Sequence, residues 1–419
     1  MKKQFIGAAA ALGVLASLVV AAPAAHAEPV CDGFAVVGSD TIQDVMTGIA
    51  NGYKVSDSIS VRAIGNGKFA CNFNAVDSVY AAAGASSLIQ TKAFGTPFLR
   101  PNGSGNGQTA LSRSIDGADI NPNAAVVKIQ GQVDIARSSS SPSGSADPTE
   151  SNLAETLAAY PFARDALSFA TNASGLTTLT KQELNSLFKC ENLQNPSAPA
   201  GPDNLPTING VAYTPVLPQE GSGTREYFLE KVLGVNKNTT DLTKGVKYNG
   251  CTLIGQEHQT NQLFNAQPMP ANAVVVHSVA QWIAQANGVG IDRRGAGFTL
   301  GSAITGKVPT DTVAGKLVPN ASYYADDVFG RDTYLITQAS RTYTGSPTFD
   351  NALSALLGVS KTPGYVTADI PATSLLNQST DPDTVGGVKQ AFGFGATTVR
   401  NALNPTYHPL KSGTLAGTW

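Results

Sequence analysis

Short apolar runs alternate with amphipathic segments along this chain, and Gly, Ser and Thr cluster where one gives way to the other. Residues 34–37 (FAVV) form a buried-strand run, after which Ile42, Val45, Met46 and Ile49 recur at helical spacing. Strand, Gly38-Ser39-Asp40-Thr41, helix is the predicted order. Residues 125–139 carry two candidate strand pieces separated by Gly131, and the Ser- and Pro-rich stretch 137–150 predicts a loop. Residues 165–172 predict a strand leaving one sheet. Residues 179–190 predict a helix, with Thr180 and Glu183 spaced as a capping box. The stretch 192–218, rich in Pro, Asn and Gly, predicts a surface excursion. Beyond it, Phe228, Leu229, Val232 and Leu233 share a helix face; 273–286 predicts strand then helix, and 331–340 a strand. Helix-like segments follow near 349–357 and 386–402. Strands alternating with helices predict an α/β protein with largely parallel sheets and no repeat of fixed period.

The N-terminus changes where this fold is expected to live. Lys2 and Lys3, an apolar run from Phe5 to Ala22, and Ala25-His26-Ala27 make residues 1–27 a secretory signal peptide cleaved after Ala27. Cys31 follows Glu28-Pro29-Val30 and not the cleavage box directly, so no lipid anchor is expected. No second apolar run of membrane-spanning length is present, and no membrane insertion is expected. A formal charge of −2 offers nothing to nucleic acid. All four cysteines lie in the exported part, where disulfides are expected. They permit three pairings; Cys31 with Cys71 and Cys190 with Cys251 keep each bridge between sequence neighbours, within one domain.

Three turns share one grammar: VVGSDTIQDVM from 36, RPNGSGNGQTAL from 100 and QEGSGTREYF from 219. A fourth donor-rich turn, ARSSSSPSG from 136, ends a strand in consecutive hydroxyls. A helix start leaves backbone N–H groups unpaired and carries partial positive charge, which an anion satisfies. Glycine lets the backbone come close, and Ser or Thr hydroxyls add donors without adding charge. One such turn is an ordinary N-cap; four in one exported chain point to an oxyanion.

In this order, with 161–188 (PFARDALSFATNASGLTTLTKQELNSLF) between the third and fourth turns, the chain resembles the periplasmic phosphate-binding proteins of ABC transporters and their secreted relatives. The resemblance implies a two-domain periplasmic-binding-protein-like (type II) fold hinged on two crossing segments. Domain I would comprise 28–172 and 326–419, and domain II 173–325. It puts Thr41 and the backbone at Ile42 on the anion, with Ser104, Ser139 and Ser138, then Ser222, Gly223 and Thr224. Two positions depart from the family. Ser139 stands where an aspartate usually accepts the ligand's proton, and Pro218 where an arginine is usual. Asp40 either supplies that acceptor or caps its helix; Arg225 or Arg100 would supply the guanidinium, with Arg137 a third candidate.

The expected function is capture of an inorganic oxyanion, phosphate first, without catalysis, metal or cofactor. The expected protein is a monomer, periplasmic or secreted, that delivers to an ABC permease. A secreted hydrolase of phosphate esters is the main alternative, although no serine has glycines at both −2 and +2. A surface adhesion or matrix protein is the other. His258, His277 and His408 lack a metal-ligand spacing and read as structural. The P-loop-like 301–309 has Val308 in place of the metal-binding hydroxyl. Arg293 and Arg294, near Trp282, form either a cleft rim or a solvated turn.

Overall fold

The structure is a computed structural model of the 419-residue chain. It describes residues 30–415 except 58, 77–86, 122–124, 148, 150–151, 202, 236–249, 264–265, 360–369 and 398–404. The signal peptide lies outside the described residues.

The strands, in chain order, are β1 (Phe34–Gly38), β2 (Ile64–Gly65), β3 (Lys68–Asn72), β4 (Leu88–Ile89), β5 (Phe98–Leu99), β6 (Ile135–Ser138), β7 (Thr156–Thr171), β8 (Thr207–Ile208), β9 (Val211–Ala212), β10 (Thr214–Pro218), β11 (Leu253–Gly255), β12 (Ala273–Ser278), β13 (Thr299–Gly301), β14 (Thr310–Val313), β15 (Lys316–Pro319), β16 (Gly330–Gln338) and β17 (Thr406–Pro409). One sheet runs β11-β10-β12-β7-β16-β6-β1-β3-β2, with β13 and β17 also on β7. Pairs β4–β5, β8–β9 and β14–β15 form separate hairpins.

The expected parallel pairing holds within each end of the sheet. Strand β1 lies between β3 and β6, and β10 between β11 and β12, all parallel. The middle is antiparallel: β16 pairs with β6 and β7, and β7 with β12. The sheet is therefore mixed, because β7 and β16 cross from one end to the other. The apolar core divides accordingly. One cluster gathers Val36, Ile42, Met46, Phe162, Ala163 and Leu335, another Ala166, Phe169, Leu187, Phe228, Val276 and Tyr323. The changeover falls inside β7, between Ala163 and Ala166.

Local sequence signals account for several elements. Helix Lys181–Phe188 starts on the anticipated capping box, Thr180 accepting from the Glu183 N–H while the Glu183 carboxylate accepts from the Thr180 N–H. Helix Val279–Ala286 starts on Ser278, whose hydroxyl accepts from the Gln281 N–H. Phe228, Leu229 and Val232 are buried on the π-helical turn Phe228–Val232 that continues helix Gly223–Tyr227, and Leu233 is buried where that turn ends.

Three expectations are corrected. Of the two strand pieces in 125–139 only β6 forms; Lys128 makes an isolated bridge to Asp119. The 192–218 excursion ends in β10, a fully buried inner strand. Its prolines obscured it, since proline lacks a ladder donor. Helix 386–402 is shorter, Val385–Ala391, ending before Gly393, whose φ is +84°.

Both favoured disulfides form, Cys31–Cys71 and Cys190–Cys251. The second closes a separation of 61 residues, for which unfolded-chain entropy gives about 4 kcal/mol. The Cys190→Ser/Cys251→Ser double variant is expected to lose stability of that order in urea unfolding while keeping its native far-UV circular dichroism. An unchanged midpoint would remove the bridge from the account of stability.

Candidate functional site

Three of the four turns that the sequence singled out follow the carboxyl ends of strands with a parallel neighbour, where open α/β sheets place their ligands. Thr41 comes after β1, Ser139 after β6, Ser222 to Thr224 after β10, and Glu257 with His258 after β11. Helix Ser104–Asp116 brings Ser104 to the same place.

Thr41 and Thr224, 183 residues apart, have their hydroxyl oxygens 3.3 Å from each other. Both hydroxyls donate to Glu257 Oε1, at 2.9 and 2.5 Å. His258 Nε2 lies 3.0 Å from the Thr41 hydroxyl and 3.1 Å from that same Oε1. Its other ring nitrogen, Nδ1, accepts from the Ser278 N–H at 3.3 Å. The Nε2 proton is thereby aimed at Glu257. Behind the threonines, Arg331 Nη2 donates to Thr224 Oγ1 at 2.8 Å, and both its Nε and Nη2 bond Asp165 Oδ2. The Arg331 and Asp165 side chains are wholly buried. Asp165 Oδ1 accepts from the Ser278 hydroxyl and the Ala280 N–H. Burial alone would push the Glu257 carboxyl up, but His258, the Thr224 hydroxyl and Arg331 outweigh it and hold the group well down in the acid range.

The second and third turns meet beside this cluster. Ser104 Oγ accepts from the Ser139 N–H at 2.9 Å and lies 3.2 Å from Ser139 Oγ. Gly223 is forced to be glycine, since a Cβ there would fall 2.2 Å from Ser104 Oγ and 2.6 Å from Ser139 Oγ. Gly103, at φ +101°, abuts the Gly221 carbonyl in the same way, and the Gly105 N–H donates to that carbonyl at 3.0 Å. The contact is extended by Gln219 Nε2 donating to Asn102 Oδ1, and by Asn102 Nδ2 donating to Gln256 Oε1.

Asp40 is wholly buried, and neither carboxylate oxygen has a hydrogen-bond partner. Burial pushes its pKa up to about 6, against the pull of Arg293, 3.6 Å away, and of His258. Ser39 Oγ, Glu257 Oε2, Gln281 Oε1 and Nη1 of both Arg293 and Arg331 are likewise buried without hydrogen-bond partners. Burying polar atoms in this state is costly. Their concentration around the turns marks a place built to be polar.

Other candidates point elsewhere. Ser138 donates to the Ser140 carbonyl and accepts from Gln108. Ser222 caps its helix, accepting from the Arg225 N–H; the Ile42 side chain packs into the apolar core, while its backbone, the part expected at the anion, opens helix Gln43–Asn51. Arg100 bonds Ser87 and the Asn74 carbonyl, and Arg225 bonds the Pro218 carbonyl. Arg137 spreads over the carbonyls of Gly38, Ser39 and Phe73, fixing the first turn from behind. The guanidinium that reaches the threonines is Arg331, which the residue pattern marks only as the start of a strand. His277 is stacked edge-on against His258 and Trp282, and burial with the neighbouring His258 brings it down to about 3. A cavity of about 670 Å³ is lined by Ser140, Tyr227, Lys231 and Tyr334 and touches the cluster only at Arg331. Among the described residues no cluster of His, Cys, Asp and Glu is arranged to hold a metal ion, and no helix is long and apolar enough to cross a membrane.

Two parallel half-sheets, each with its first strand in the middle and joined by two crossing antiparallel strands, define the mixed α/β architecture of type II periplasmic binding proteins. The chain belongs to the PBP superfamily, whose domain description matches residues 99–357. No curated protein matches the sequence. Solved structures similar to it include a phosphate binding protein from Stenotrophomonas maltophilia, with 12% identity, TM-score 0.43, and 88% of this chain and 91% of that one covered. An ABC-type phosphate transport receptor from Vibrio cholerae has 16% identity and TM-score 0.34, over 73% of this chain and 86% of its own. A human phosphate binding apolipoprotein has 14% identity and TM-score 0.36, over 83% and 97%.

The Asp40 carboxyl gives a pH test. Its folded-state pKa, about 6, lies above the ordinary 3.8, so between these values the folded chain holds the extra proton and stability falls as pH rises. The penalty at pH 7, on the order of 3 kcal/mol, is relieved as pH drops through 6 and is gone below 4. Asp40→Asn is expected to unfold at higher temperature than the parent at pH 7.5, with the advantage shrinking towards pH 4.5. Thermal unfolding curves differing by a constant offset over that range would contradict it.

Proposed function

We propose that the protein is an exported, non-catalytic binding protein that captures an oxyanion, phosphate first, where the four turns meet. The observation that carries this reading is the convergence of Thr41, Ser104, Ser139, Gly223 and Thr224 in one buried place next to Arg331. These donors come from four turns far apart in the sequence, which share no local reason to meet. Each hydrogen bond from such a donor to a charged oxygen contributes about 1.5–3 kcal/mol, so a handful suffices for tight capture.

In this reading the segments 28–172 with 326–419 and 173–325 move as two lobes on β7 and β16, closing over the anion. Arg331 takes the part for which Pro218 left no arginine. Asp40, with its pKa near 6, accepts or shares the proton of a protonated oxyanion and disfavours one that carries none. Two disulfides fit an oxidising compartment, periplasmic or beyond the cell. The protein acts as a monomer and passes its ligand to an ABC permease.

The test is calorimetric titration of the mature protein, refolded to strip carried ligand, with phosphate and then sulfate. Thr224→Val and Ser104→Ala are each expected to weaken phosphate binding by about tenfold or more, the loss of one charge-assisted hydrogen bond. Unaltered affinity in both, with circular dichroism of the native form, removes the site assignment.

A further inference from the structure

Glu257 occupies a position that the anion reading does not explain. Its carboxylate sits where the first and fourth turns meet, and its Oε1 receives the Thr41 hydroxyl, the Thr224 hydroxyl and the His258 ring. These are anion donors, and Arg331 polarises both threonines from behind, at 2.8 Å from Thr224 Oγ1 and 3.4 Å from Thr41 Oγ1. A carboxylate oxygen and a phosphate oxygen make the same demands on such donors. With the two threonine oxygens only 3.3 Å apart, one acceptor oxygen fits between them, and Glu257 already supplies it.

We propose that Glu257 is an internal surrogate anion: it holds the cradle's place in the free protein, and an external oxyanion binds only by displacing it. The proposal rests on the oxyanion reading above and adds the residue that sets its affinity and selectivity. The segment that carries Glu257 is suited to exchange. It follows β11 directly, and its next residue, His258, sits at φ +59°, a left-handed conformation that is strained for a side chain of this kind. The Glu257 N–H is held by Gln219 Oε1 at 2.8 Å, and Gln219 in turn bonds Asn102 on the facing turn. The carboxylate's other oxygen, Oε2, is buried without a partner, so the internal occupant satisfies the cradle while leaving itself half satisfied. The titratable and charged groups around it are Asp40 after β1, Arg331 on β16 with its partner Asp165 on β7, Arg293 on the loop that bonds Thr260, the His258 ring beside it, and His277, packed edge-on against His258.

Displacement makes apparent affinity the product of intrinsic affinity and the fraction of molecules with the cradle open. Removing the charge of Glu257 therefore strengthens binding of external anions. An ordinary contact would do the opposite, since deleting an acceptor that takes the ligand's proton weakens phosphate binding.

The experiment is calorimetric titration of the parent, Glu257→Gln and Glu257→Asp proteins with phosphate and with sulfate at pH 7. Glu257→Gln is expected to bind phosphate about tenfold tighter or more and to gain measurable sulfate binding; Glu257→Asp, with its charge withdrawn by one methylene, is expected to fall between. If Glu257→Gln fails to fold, as judged by its circular dichroism, the comparison of Glu257→Asp with the parent decides in the same direction. Unchanged or weaker phosphate binding in a folded variant, while the parent binds phosphate, overturns the surrogate and leaves the oxyanion reading intact. Parent and variants that all ignore both anions overturn the two together.

Discussion

The buried pair of Asp165 and Arg331 is the constraint on which the rest of this structure depends. Asp165 lies on β7 and Arg331 on β16, the two strands that cross from one end of the sheet to the other, and both side chains are fully buried. The pair falls where the apolar core changes over, between Ala163 and Ala166. A buried ion pair gains little over an apolar one of equal volume, but breaking it leaves an uncompensated charge. The pair also reaches outward to specific partners, Asp165 to the start of helix Val279–Ala286 and Arg331 to Thr224, while Arg331 Nη1 stays buried without one. The crossing point and the meeting place of the turns are thus one electrostatic unit.

The recurring Gly-Ser grammar has a structural cause that a search for a fixed period misses. Strand β1 and strand β10 hold equivalent places, each in the middle of three parallel strands, and each ends in a turn that opens a helix. Thr41 and Thr224 are the counterparts, and they face one another across the crossing strands. Insertions of different length between β1 and β6 and between β10 and β12 erase any period, while the demand on each turn stays the same. Close approach needs glycine, and a polar meeting place needs hydroxyls.

What was legible in the sequence was local. A capping box at Thr180, apolar spacing after Ile42, and sequence-near cysteine pairs all report short-range physics, and each is present. Thr41, Ser104, Ser139 and Thr224 were singled out because each sits in a turn whose spelling is itself the signal, and the structure brings these turns together. Arg331 was not, because nothing around residues 331–340 separates an arginine that serves a site from one that begins a strand. Pro218 left the arginine's role open, and in the proposed reading Arg331, on β16 and more than a hundred residues on, takes it. Glu257 and His258 escaped for the same reason: a lone acidic residue and a lone histidine gain meaning only when β11 lays them between two threonines. Strand β10 was hidden by Pro215 and Pro218, which look like loop until its neighbours are known.

Charge in the centre explains why short-range donors carry so much of the design. Among the described residues, Asp40, Asp165 and Glu257 face Arg293 and Arg331 there. Arg331 is committed to Asp165 and Arg293 approaches Asp40 only to 3.6 Å, so burial wins at Asp40 and its pKa rises to about 6. Three carboxylates against two guanidiniums give the centre no positive field to draw in an anion from a distance. In the oxyanion reading proposed above, discrimination then comes at contact range, from hydroxyl and backbone donors at glycine-lined turns and from a guanidinium that polarises rather than touches. Such donors select an acceptor by where its oxygens are. The fixed carboxylates select by whether those oxygens carry a proton.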